Sequence, residues 1–217
     1  MARRLPPLAK RFAAEVVSAS NFAQNIELAA VALKNSPANQ LPLNLQTVEL
    51  SYELSYLRIF LAWEEFLEQT FQRLLCGYAH SQGQESLLPT MTYASTISEA
   101  NHRILGTRDF VLWHSPKTII KRCRAHFTPV GHFELVVASS YATLERYSAV
   151  RHRIAHSQDH AKGEFDTVTM NLTGKRYRGS RPGRFLRAWT PSALGTPTPL
   201  RWITKISNDL VTLANQI

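Results

Sequence analysis

Apolar positions recur three and four residues apart over most of the chain, the period of a helix with one buried face. The longest run spans about Leu45 to His80. Tyr52, Tyr56, Phe60, Trp63, Leu67, Phe71 and Leu74 form one stripe, with no Gly or Pro before Gly77. This segment is expected to be the central helix of a bundle, with its aromatics in the core. Before it, Phe12, Val16, Val17, Phe22, Ile26, Leu28, Val31 and Leu33 predict helix from Leu8 to about Lys34. Ser18, Ser20 and Asn21 leave open whether this is one helix or two. Asn35 to Asn39, with Pro37, reads as a turn.

Ser81 to Ser95 is largely polar and reads as a loop. Thr96, with Glu99 three residues on, predicts a capping box for a short helix through Leu105. Ser115 and Pro116 supply an N-cap and a first-turn proline for a helix to about Phe127. A further helix is expected from Phe133 to Val150, with Phe133, Val137, Tyr141, Leu144 and Tyr147 or Ser148 inward. The helical period is then lost from Asp159 to Gly183. Thr167 to Leu172 alternates like a strand, and Gly174-Lys175 could turn it into a hairpin with Arg176-Tyr177-Arg178. Gly179 to Arg184 reads as a mobile loop. After a Pro-punctuated stretch from Pro191 to Pro199, Trp202, Ile203, Ile206, Leu210 and Leu213 predict a last helix, about 200–214. The expectation is one all-α domain over residues 1–217, an up-and-down helical bundle. It carries a short β-hairpin after the Phe133–Val150 helix and a basic loop region at about 160–190. A chain of 217 residues suits one good core.

Charge adds a candidate partner. The formal net charge is +9, and most of the cations are Arg, whose planar fork suits phosphate. From Asn171 to the end the only acid is Asp209, against Lys175, Arg176, Arg178, Arg181, Arg184, Arg187, Arg201 and Lys205. The first six of these interleave with Tyr177 and Phe185, a composition suited to single-stranded nucleic acid through phosphate contact and base stacking. Lys121 and Arg124 lie on the basic helix from Ser115 to Phe127 and are further candidates for phosphate contact. RNA is therefore an expected partner. No stretch reaches the ~20 apolar residues that span a bilayer, and the basic start lacks the apolar run of a signal peptide. Cys76 and Cys123 show no pairing logic, which fits a reducing compartment. A cytoplasmic chain without membrane, metal or cofactor is expected.

The candidate chemistry is concentrated in Arg151-His152-Arg153-Ile154-Ala155-His156-Ser157. The helical period places Arg151 on the inward side. Glu64, on the long helix, shares a face with Leu57, Phe60, Leu61 and Phe71, so its carboxylate is expected to be partly buried and to need a cation. Two helical wheels thus suggest a Glu64–Arg151 pair. Three readings of the cluster compete. Arg151 could be a structural ion-pair partner beside surface histidines. His152, His156 and His160, at i, i+4 and i+8, could chelate zinc, although Arg151 and Arg153 place positive charge beside such a site. Or His156 could move a proton and Arg151 stabilise phosphate charge while an RNA 2′-hydroxyl attacks its own phosphodiester. Arg151 and His156 are five residues apart, about 140° on an ideal helix. The third reading therefore needs the helix to loosen near His156, Arg151 to bend around, or two subunits to pool their groups.

This stretch, following a helix with Trp63-Glu64-Glu65-Phe66-Leu67, resembles the HEPN superfamily. Its signature is Arg, four to six residues, then His, with a polar residue right after the Arg; here that residue is His152. The resemblance covers about Asn44 to Ser157. It implies a helical bundle and a metal-independent endoribonuclease of antiviral defence or toxin–antitoxin systems, working as a homodimer with an antitoxin or other defence protein as partner. It also implies that Arg151 and His156 are the catalytic pair, that His152 supports them, and that Glu64 orients Arg151. The alternative is a non-catalytic HEPN-like module that binds nucleic acid or protein.

Overall fold

The structure is a computed structural model, and it describes residues 3–34, 43–108, 110–128, 130–191 and 199–217. The expected turn at Asn35–Asn39 and most of the Pro191–Pro199 stretch lie outside the described residues. The described chain is all-α. In order, it forms α1 (Leu8–Lys34), α2 (Leu45–Leu75), the two-residue strands β1 (Ala79–His80) and β2 (Gly83–Gln84), α3 (Ile97–Leu105), α4 (Pro116–His126), α5 (His132–Ser139), α6 (Tyr141–Ala155), α7 (Asp159–Thr173), a 3-10 turn (Arg178–Ser180), α8 (Pro182–Arg187) and α9 (Trp202–Gln216). β1 and β2 pair antiparallel. The segment from Leu8 to Lys34 is one helix.

The chain packs as two compact units. Unit 1 comprises residues 1–13, 62–145 and 211–217. Its core is built around Phe71, whose ring lies 5.3–5.9 Å from those of Trp113, His126, Phe127 and Phe133. The expected N-caps hold, with Glu99 N donating to Thr96 Oγ1 and Thr118 N to Ser115 Oγ ahead of Pro116, but the Glu99 carboxylate of the expected capping box accepts from Ser95, one residue before the N-cap.

Unit 2 comprises residues 14–61 and 146–210. Tyr52, Tyr56 and Phe60 of α2 are buried, as the stripe predicts, and Tyr56 Oη donates to the Tyr147 carbonyl of α6 at 2.8 Å. Phe185 is the second centre of this core, with Phe165, Tyr177 and Trp202 rings within 5.1–6.0 Å. Glu27 accepts from Tyr52 Oη at 2.5 Å, Arg187 Nε at 2.8 Å and Arg201 Nη2 at 3.0 Å.

Three expectations about local structure are corrected. The Phe133–Val150 helix is two helices, α5 and α6, broken at Ser140. Ser139 Oγ donates to the Val136 carbonyl there, the kind of side-chain bond that competes with the helical ladder. Thr167–Leu172 is not a strand, and no hairpin follows α6: the segment belongs to α7, and Gly174 (φ 72°) is its left-handed C-cap. Ala161, Phe165 and Thr169, four residues apart, supply the buried face, while Thr167, Thr169 and Thr173 return their hydroxyls to the carbonyls four residues back. Burial of that face overrides the strand preference of its β-branched residues. The expected loop at Gly179–Arg184 is a left-handed turn at Gly179 and Ser180 followed by α8.

Candidate active site

Within unit 2, α6 ends at Ala155, and His156 is the first residue past it, still donating its N–H to the His152 carbonyl at 2.9 Å. α6 thus ends between Arg151 and His156, while His156 keeps the last four-residue hydrogen bond of the helix. Arg153 braces the helix end. Its Nη1 donates to the His156 carbonyl at 3.1 Å and its Nε to the Ser180 carbonyl at 3.2 Å. Ser180 has φ 46°, a strained conformation for a residue with a side chain. It is held by its hydroxyl, which donates to Asp166 Oδ1 of α7 at 2.7 Å.

These elements line a shallow, open pocket of about 260 Å³. His156, Arg153, Arg181 and Glu53 line it together with the Gly179–Ser180 turn. Arg151 is half-buried on α6, two residues and about 200° around the helix from Arg153. The guanidiniums that line the cavity among the described residues are those of Arg153 and Arg181. Glu53 Oε1 accepts from Gly183 N at 2.8 Å. Burial raises the Glu53 carboxyl above the ordinary carboxylate range. The Gly183 N–H opposes that shift, the Glu49 charge adds to it, and the Arg153 and Arg181 charges oppose it.

The histidines gather on the neighbouring surface. The His152 ring is 4.8 Å from that of His156 and 6.3 Å from that of His160. Glu164 of α7 joins two of them: its Oε2 lies 2.9 Å from His152 Nδ1 and its Oε1 3.4 Å from His160 Nε2. No group of three His, Cys, Asp or Glu among the described residues is arranged to hold a metal ion.

Glu64 lies in unit 1, where its partly buried carboxylate has His114 Nδ1 at 3.5 Å; Arg151 lies in unit 2. The candidate RNA-binding cations divide into two groups. Lys175, Arg176 and Arg184 are exposed, and Lys175 Nζ sits 5.7 Å from the Tyr177 ring centre. Arg181 is about half exposed, 3.5 Å from Glu49. Arg187 is taken up by Glu27 at 2.8 Å, and Arg124 by the buried Glu134 at 2.7 Å. Lys121 is exposed on α4, and the Arg178 side chain lies outside the described residues. The stacking role expected of Tyr177 and Phe185 is corrected: both rings are buried in the core of unit 2 and have no face to offer a base.

Sequence reasoning missed Glu53, Arg153, Arg181 as a cavity group, and Glu164. Glu164 carried a signal, being four residues after His160, but only for a reader who had placed α7 as a helix. Among the described residues no helix is long and apolar enough to cross a membrane. Compared with known proteins, the chain matches no family model, and no curated protein or solved structure shows significant similarity to it.

Proposed function

We propose that the protein is a metal-independent endoribonuclease of the HEPN type, cleaving RNA by attack of a 2′-hydroxyl on the adjacent phosphodiester. The observation that carries this reading is that His156, the first residue past α6, lines a small open pocket together with Arg153 and Arg181. An imidazole supplies proton transfer near neutral pH, and guanidiniums supply the charge that gathers on a phosphorane-like transition state. Two fixed positive charges beside the imidazoles oppose binding of a divalent cation. In this reading Arg151 and His156 are the motif pair, and Glu164 holds His152 as their support. Lys175, Arg176 and Arg184 guide the strand. A homodimer and an antitoxin or other defence-system partner belong to the same proposal, and they rest on the resemblance.

The test is cleavage of single-stranded RNA in excess EDTA, with the new ends identified. The expected products carry 2′,3′-cyclic phosphate and 5′-hydroxyl ends, and His156→Ala and Arg151→Ala abolish them. Undiminished cleavage by either variant would overturn the assignment. RNA binding without cleavage would favour a non-catalytic binding module.

A further inference from the structure

Attack by a 2′-hydroxyl needs two proton transfers: one off the nucleophile and one onto the leaving 5′-oxygen. One imidazole performs only one of them in a single step. Resting on the ribonuclease reading, we propose that Glu53 is the second proton-transfer group, with Arg153 and Arg181 holding the phosphate between it and His156. Glu53 is the one carboxylate among the described residues that lines the His156 cavity.

The carboxylate is built for a role beyond packing. It projects from α2, and the Gly183 N–H at the start of α8 holds Oε1 at 2.8 Å. That bond is the one hydrogen bond it makes among the described residues, so Oε2 remains to take a proton. Gly183 approaches this closely because it lacks a side chain: a Cβ there would stand 2.2 Å from the Glu49 carbonyl. The Arg153 guanidinium is fixed by two backbone carbonyls, Ser180 through Nε and His156 through Nη1. Such preorganised donors suit a developing phosphate charge, because no reorganisation is needed as the charge forms.

The step balances as follows. The Glu53 carboxylate takes the 2′-hydroxyl proton, and the 2′-oxygen forms a bond to phosphorus. The bond from phosphorus to the 5′-oxygen breaks, and the His156 imidazolium gives its proton to that oxygen. The products are a 2′,3′-cyclic phosphate and a 5′-hydroxyl. Solvent then removes the proton from Glu53 and returns one to His156. Burial and the Glu49 charge on α2 raise the Glu53 carboxyl and strengthen it as a base. The Gly183 N–H, Arg153 on α6 and Arg181 ahead of α8 temper this without reversing it.

Glu53→Gln tests the assignment, since the amide oxygen can still accept from Gly183 N–H but cannot take the proton. The expected result is a loss of about 10²–10⁴-fold in kcat, with KM for a short single-stranded RNA and the thermal midpoint little changed. The acidic limb of the pH profile of kcat/KM should also vanish. Glu53→Asp, which keeps a titratable group, should retain a limb and part of the rate. If wild type forms cyclic-phosphate ends, His156→Ala is inactive and Glu53→Gln keeps the wild-type rate and limb, the Glu53 assignment alone falls. If wild type forms no such ends, or His156→Ala cleaves normally, the ribonuclease reading falls and takes Glu53 with it. If Glu53→Gln fails to fold, an unchanged acidic limb in Glu53→Asp overturns the proposal, and a displaced limb supports it.

Discussion

His152 Nδ1 and Glu164 Oε2 lie 2.9 Å apart, a contact that fastens the last turn of α6 to α7 and sets the edge-on packing of His152 against His156. Both side chains are more than a third exposed, so water screens the pair. Glu164→Gln is therefore expected to lower the cleavage rate only modestly, by roughly two- to fivefold, with RNA affinity unchanged. Single-turnover kinetics check this. An unchanged rate would show that His152 is a surface residue without a supporting role.

Glu27 gathers a buried tyrosine hydroxyl and two guanidiniums. Burial pushes its carboxyl up, but the Tyr52 and Arg187 hydrogen bonds and the Arg201 and Arg187 charges more than reverse this, leaving it below the ordinary range. Tyr52 is fully buried, and its phenol is pushed above its ordinary range by burial and by Glu27. Glu27→Ala leaves that hydroxyl unsatisfied and two cations crowded. It is expected to cost about 1–3 kcal/mol, seen as a lower denaturant midpoint at constant slope. Glu27→Gln should recover part of the loss.

Unit 1 carries two histidines that the fold prefers neutral. Burial lowers His80; the Glu85 bond and charge oppose this, and His132 reinforces it. Burial, Arg122 and Arg103 all lower His126. The unfolded chain therefore binds protons first as pH falls. The stability these groups contribute is fully present above the free-imidazole value of 6.5 and is lost as pH drops through it towards the folded values. The thermal midpoint should fall between about pH 7.5 and about pH 5. His126→Phe, beside Phe71, should flatten that dependence.

The two groups of surface cations predict different mutant behaviour. Removing Lys175, Arg176 or Arg184 should weaken RNA binding and reduce the salt slope by roughly 0.7 per lost phosphate contact. Arg187→Ala and Arg124→Ala should instead lower stability, because Glu27 and Glu134 lose their partners, and should leave the slope near wild type. Binding titrations at several salt concentrations separate the two.

Much of the fold was legible because its signals were local. The α2 stripe from Tyr52 to Leu74 is buried as its spacing demands, and the Thr96–Glu99 and Ser115–Pro116 signatures start α3 and α4. What was illegible depended on partners distant in sequence. Val168, Met170 and Leu172 mimic a strand, yet Phe165 and Thr169 on the helical face make the buried contact. Misreading α7 hid Glu164 as well. Tyr177 and Phe185 are spaced among arginines like stacking residues, but they close a core around Trp202. Glu53 meets Arg153 and Arg181 across separations of a hundred residues and more, through a left-handed turn that no local pattern announces. The end of α6 is the exception. The spacing of Arg151 and His156 left three ways to bring the pair together, and α6 ends at Ala155, one residue before His156.

The close approach at Gly183 carries a consequence for how this site can vary. The basicity of Glu53 is tuned by a backbone amide, and that amide reaches it only because one hydrogen stands where every other residue has carbon. On the role proposed for Glu53, position 183 is a control point for proton transfer although it has no side chain to titrate. Gly183→Ala leaves the cavity's side chains chemically intact, yet it should detune the carboxylate and shift the pH optimum, a kind of inactivation that an inventory of functional groups would overlook.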